Sequence, residues 1–132
     1  MTMVKEHIKK ITELLSGHEK VEYAFIFGSV LKRPLPGSDI DILVGAHLGP
    51  FAKMYLAMEL ELALGRKVDM VLTKDASCEV VLKALSSGSP VLIREKGSLK
   101  NDYFRNFYLY EDASALRKMK ISRVRRRYGN GG

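Results

Sequence analysis

Apolar residues recur at Val4, Ile8, Ile11 and Leu15 with the 3.6-residue period of an amphipathic helix, and Ser16-Gly17 supplies its end. From Val21 to Phe27 that period gives way to a run of β-branched and aromatic residues halted by Gly28-Ser29, which predicts a buried strand ending in a tight turn. Pro34, Pro36, Gly37 and Ser38 mark a loop. Beyond it Ile40, Ile42 and Val44 alternate with Asp39, Asp41 and Leu43, predicting a second strand. Phe51, Met54, Tyr55, Met58 and Leu62 carry a helix over 51–64 with Gly65 as its stop, and Met54, Met58 and Met70 read as core filler. A short third strand is predicted over 68–72 and a helix over 78–85, ended by Ser86-Ser87-Gly88. An edge strand is expected over 90–93, where the leading Pro90 forfeits no ladder bond. The segment 99–128 lacks interior Pro or Gly and reads as one long or two shorter helices, followed by a frayed Gly129-Asn130-Gly131-Gly132.

Strands alternating with helices predict an α/β or α+β architecture, a sheet of about four strands flanked by helices, with strand directions left open. At 132 residues, 46% hydrophobic and 28% charged, the chain is sized for one domain with a real core, about 1–97, and a C-terminal helical segment, about 99–128. The apolar runs are too short and too charged to span a membrane. Lys5, Glu6, His7, Lys9 and Lys10 break up any secretory core, so a cytoplasmic location is expected.

Charge changes this picture along the chain. Residues 1–93 hold 11 basic and 11 acidic side chains, whereas 94–132 hold 11 basic and four acidic, so the whole net charge of +7 is C-terminal. Arg117, Lys118, Lys120, Arg123, Arg125, Arg126 and Arg127 suit an acidic partner or RNA, or a solvated helix end favoured by the helix dipole. A partner contact is the reading preferred over sequence-specific nucleic-acid binding. Tyr103, Phe104, Phe107, Tyr108 and Tyr110 have helical spacing, which argues for packing on the sheet or on a second subunit, a homo-oligomer included, rather than for base stacking. Cys78 has no partner for a disulfide and is expected to be a buried structural thiol. His7, His18 and His47 lack metal-ligand spacing.

The candidate chemistry lies in two short stretches. Gly28 permits a positive φ or a close backbone approach, and Ser29 adds a hydroxyl where a turn presents free N–H groups to a phosphate. Asp39 and Asp41, two apart on a strand, share a face about 6–7 Å apart and repel unless a cation lies between them. Hard divalent ions such as Mg²⁺ prefer carboxylate and phosphate oxygens, and a pair of them clamps both ends of a phosphoryl displacement. Asp69, on the third strand, is positioned to converge on the same site, to ligate an ion and to help take a proton from an attacking hydroxyl. Each part is common alone; their order along the chain is what points to a metal-nucleotide site.

From about Val21 to Ile93 the sequence resembles the DNA-polymerase-β-like nucleotidyltransferases, in particular the small minimal nucleotidyltransferases (MNT). The resemblance rests on Phe27-Gly28-Ser29, Ser38-Asp39-Ile40-Asp41-Ile42-Leu43-Val44 and Arg66-Lys67-Val68-Asp69-Met70-Val71. It implies a small mixed sheet flanked by helices and transfer of a nucleoside monophosphate, AMP from ATP, to a hydroxyl with two Mg²⁺ ions. By position it implies that Gly28 and Ser29 hold the β/γ-phosphates, that Asp39 and Asp41 ligate both ions, and that Asp69 completes the shell of the catalytic ion. It further implies an antitoxin whose partner is a helical HEPN toxin modified on a tyrosine. The chain departs from the family pattern in a Ser29–Asp39 loop about one residue short, and in Lys32-Arg33-Pro34 where Arg-Gly is common, which bears on nucleotide affinity and base preference. A binding antitoxin with slow or absent catalysis is the alternative from a different class. Transfer to RNA or a small molecule is disfavoured because so short a chain leaves little room for an acceptor domain.

Overall fold

The computed structural model describes residues 2–32 and 39–127. Along the chain run α1 (Thr2–Ser16), β1 (Val21–Phe27), α2 (Ser29–Lys32), β2 (Ile40–Ala46), α3 (Pro50–Leu64), β3 (Val68–Leu72), α4 (Cys78–Ser87), β4 (Ser89–Ile93) and α5 (Lys96–Arg127). The four strands form one mixed sheet in the order β3-β2-β1-β4. Neighbours β1 and β2, and β1 and β4, are antiparallel, whereas β2 and β3 are parallel. A parallel pair needs a crossover, and α3 provides it. The fold is the α+β mixed sheet flanked by helices, and β4 lies at its edge, where Pro90 is tolerated.

Both faces of the sheet are covered, which is why β1 reads as a continuous apolar run from Tyr23 to Phe27. On one face Ala24, Ile26, Ile40, Ile42, Val44, Met70 and Leu72 pack with Ile11 and Leu15 of α1 and with Leu56, Leu60 and Leu64 of α3. On the other, Tyr23, Phe25 and Leu43 pack with Val81 and Ala84 of α4. Tyr23 is buried there with its phenol satisfied: it donates to Asp102 Oδ2 of α5 at 2.8 Å and lies 2.6 Å from Thr73 Oγ1. Gly45 on the neighbouring strand makes room for that ring, since a Cβ there would strike it.

Two expectations are corrected, and one left open is decided. The helix over 51–64 forms, but Leu56, Leu60 and Leu64 are its buried face; Phe51, Met54, Tyr55, Met58 and Leu62 are exposed, so Met70 is core filler and Met54 and Met58 are not. The helix carries two opposed apolar stripes at the same period, and periodicity cannot choose between them. Cys78 is half-buried, not buried, because it opens α4 just after the N-cap Ser77, ahead of the Val81–Ala84 stretch that meets the sheet. Of the one-helix and two-helix alternatives, the segment after β4 is one helix, beginning at Lys96; Leu99, Asp102 and Asn106 face inward, and Phe104, Phe107, Tyr108 and Tyr110 are largely exposed, so of the packing alternatives these four do not take the one on the sheet. The loop 33–38, the side chains of Ser29, Arg125, Arg126 and Arg127, and residues 128–132 lie outside the described residues.

Candidate active site

Strand pairing sets the geometry. Phe27, the last residue of β1, pairs with Asp41 on β2, and Asp41 pairs in turn with Asp69 on β3. Asp39 stands two residues before Asp41, immediately ahead of β2. The three acids therefore gather at one end of the sheet, on the face shared with Leu43 and covered by α4. Gly28 turns the chain away from Phe27 with φ 86°, a left-handed conformation that favours glycine, and a Cβ there would collide with the Asp41 carboxylate. The turn after β1 and the acid on β2 are thus in direct apposition. Ser29 begins α2, a single turn closed by Leu31 N–H donating to the Gly28 carbonyl at 3.2 Å.

Asp41 is half-buried, whereas Asp39 and Asp69 are exposed. Burial, then the charge of Asp69, then that of Asp39 lift the Asp41 carboxyl above its ordinary range, and Lys83 opposes the rise. Sequence reading missed Lys83. Its only signal is a position beside Ala84 on α4, and only the docking of Val81 and Ala84 onto Phe25 and Leu43 brings it to the acids.

The donor set suits a hard divalent cation: every candidate ligand is a carboxylate oxygen, and the raised Asp41 carboxyl marks a concentration of negative charge that a cation relieves. As the side chains stand, no group of three His, Cys, Asp or Glu among the described residues is drawn into a metal-holding cluster. The histidines serve elsewhere: His18 lies 3.4 Å from Glu59 and His47 lies 3.9 Å from Glu22. A polar hollow of about 500 Å³ lies at the other end of the sheet, lined by Glu22, His47, Thr73, Lys74, Asp102 and Arg105, and contains none of the three acids. Among the described residues no helix is long and apolar enough to cross a membrane.

A four-stranded mixed sheet flanked by helices is consistent with the nucleotidyltransferase fold, and the family model for polymerase beta nucleotidyltransferases matches residues 9–97. The chain belongs to that family and is a nucleotidyltransferase. Among solved structures it is similar to a chain of the toxin–antitoxin MntA-HepT, with 26% identity, coverage of 91% of this chain and 97% of that one, and a TM-score of 0.70. It is likewise similar to a chain of a toxin–antitoxin with AMP-PNP, at 27% identity, 89% and 97% coverage and a TM-score of 0.73. A third match is the complex of a tri-AMPylated Shewanella oneidensis HEPN toxin with MNT antitoxin, at 27% identity, 91% and 97% coverage and a TM-score of 0.71. No curated protein matches the sequence.

Proposed function

We propose that the protein transfers AMP from ATP to a tyrosine hydroxyl of a HEPN-type partner protein, as the antitoxin of a toxin–antitoxin module, with Asp39, Asp41 and Asp69 as metal-binding acids and Gly28 and Ser29 holding the triphosphate. The observation that carries this reading is the register that sets Asp41 opposite Asp69 while Gly28 abuts the Asp41 carboxylate. The AMP-PNP complex and the AMPylated toxin among the similar structures support the choice of nucleotide and acceptor. Bound Mg²⁺ would offset the charge of the triphosphate and of the leaving pyrophosphate.

In the proposed reaction the acceptor oxygen bonds to the α-phosphorus, the bond from that phosphorus to the bridging α–β oxygen breaks, and pyrophosphate leaves with the electron pair. Asp69, exposed at the mouth of the site, takes the hydroxyl proton and returns it to solvent. Gly28 lets the backbone approach the phosphates without a side chain in the way, and Lys83 contributes positive charge beside the acids. Cytoplasmic residence fits this role.

The test uses the purified chain, the partner toxin, ATP and Mg²⁺. Pyrophosphate release and a gain of AMP mass on a toxin tyrosine are expected, both lost in the Asp39→Asn, Asp41→Asn double variant. Full labelling by that variant sinks the mechanism. A second reading, inhibition by binding alone, draws on α5, whose outer part exposes Phe107, Tyr108, Leu116 and Met119 beside Lys118, Lys120 and Arg123. It requires toxin inhibition to survive the aspartate changes.

A further inference from the structure

The outward side of α3 is an exposed apolar surface on the sheet face away from the acids. Phe51, Met54, Tyr55, Met58 and Leu62 are 75%, 47%, 61%, 50% and 83% exposed. Their spacing keeps them within an arc of about 100°, opposite Leu56, Leu60 and Leu64, along a 15-residue helix about 22 Å long. No charge interrupts the stripe. The flanking acids are engaged on the protein: Glu59 lies 3.4 Å from His18, and Glu61 Oε1 accepts from Val68 N–H at 3.2 Å.

The two ends of the stripe differ in shape. Phe51 projects at the N-terminal end, while the C-terminal end opens into a recess of about 420 Å³ lined by Met58, Glu61, Leu62, Gly65, Arg66 and Lys67. A knob at one end of a helix and a hole at the other are complementary to themselves when two such helices run antiparallel.

We infer that a second copy of the chain covers this face, the two α3 helices packing antiparallel about a two-fold axis near Met58, with Phe51 of each copy seated in the recess beside Leu62 of the other. This is the isologous arrangement that closed dimers require. The area is of the right order: with aromatic side chains presenting about 150–250 Å² each, the stripe offers roughly 600 Å² per copy, against about 800 Å² per partner in a standard interface. The recess rim adjoins it and adds to the total. A patch this size is at the upper limit of what monomers leave bare. Because Asp41 faces the opposite side of the sheet, both acid sites and both α5 helices stay open in such a dimer.

The full chain, free of any partner, is measured by size-exclusion chromatography with light scattering and by sedimentation velocity. The expected mass is twice the 14.8 kDa of the chain, falling to the monomer in Leu62→Glu with an unchanged far-ultraviolet circular dichroism spectrum. On a Cys78→Ser background, Met58→Cys is expected to form a disulfide-linked dimer on mild oxidation, because the two-fold axis brings the two positions together. A wild-type monomer at crystallisation concentrations, a dimer that withstands Leu62→Glu, or a monomer whose Leu62→Glu variant loses the toxin partner instead would each overturn the inference.

Discussion

Asp41 on β2 stands directly across the parallel ladder from Asp69 on β3. Like charges facing each other on adjacent strands destabilise a sheet, and here Asp39 adds a third to the same end. The arrangement stores electrostatic cost at the site while the rest of the sheet is conventionally packed.

That cost has a sign in stability. The folded state raises the Asp41 carboxyl, through burial and then through Asp69 and Asp39, and so holds its proton more tightly than the unfolded chain does. The resulting stabilisation is full below the unfolded carboxylate value of about 3.9 and is lost as pH rises through the higher folded value. Asp41→Asn is therefore expected to melt at a higher temperature than wild type at neutral pH, with the gap closing as the pH is lowered below about 4. Thermal unfolding across that range checks it, and a variant less stable than wild type at pH 7 would contradict it.

The same substitution should remove AMP transfer on the order of 10²-fold or more, the scale on which one transition-state electrostatic contact registers. Adding Mg²⁺ should raise the melting temperature of wild type and leave that of the Asp41→Asn variant nearly still. Steady-state pyrophosphate release and a magnesium titration followed by fluorimetry read the two effects, and equal metal responses in both proteins would remove Asp41 from the ligand set.

Gly28→Ala tests the apposition of turn and acid. The positive φ costs a side chain about 1–2 kcal/mol, and the added Cβ meets the Asp41 carboxylate as well. Lower stability in urea together with lost AMP-PNP binding is expected; retained nucleotide affinity would mean the turn does not approach the phosphates.

Tyr23→Phe removes the hydroxyl that links Thr73 and Asp102 at the far end of the sheet. Leaving buried partners unsatisfied costs about 1–3 kcal/mol. The loss should appear in the denaturation midpoint with activity per folded molecule preserved, because the network lies away from Asp41.

Leu60→Ala and Leu62→Ala separate the two sides of α3. The first empties a fully buried position and should cost about 2–5 kcal/mol. The second, in solution dilute enough that association contributes nothing, should stay within about 0.5 kcal/mol of wild type by chemical denaturation.

Much of the fold was legible because period and punctuation agree. Val21–Phe27 and Val68–Leu72 were readable to the residue as β-branched and aromatic or apolar stretches, broken only by Glu22 and Asp69, closed by Gly28 and opened after Gly65, and Pro90 marked an edge. The α3 stripe was misread because both of its faces are apolar, so a one-dimensional period carries no information on which one meets the sheet. For the α5 aromatics the period left packing on the sheet and on a second subunit open, and the structure turns Leu99, Asp102 and Asn106 inward instead, with Asp102 accepting from Tyr23.

The sequence by itself singled out the candidate site residues, since Gly28, Asp39, Asp41 and Asp69 are chemically distinctive in local apolar surroundings, and local alternation predicted one face for Asp39 and Asp41. Tertiary structure alone decided that β2 and β3 run parallel in the register that sets Asp41 against Asp69, that Gly28 abuts the same carboxylate, and that Lys83 reaches the site from α4. These relations join residues dozens of positions apart, and they follow from how α3 crosses between strands and how α4 beds on Phe25 and Leu43, which no local pattern encodes.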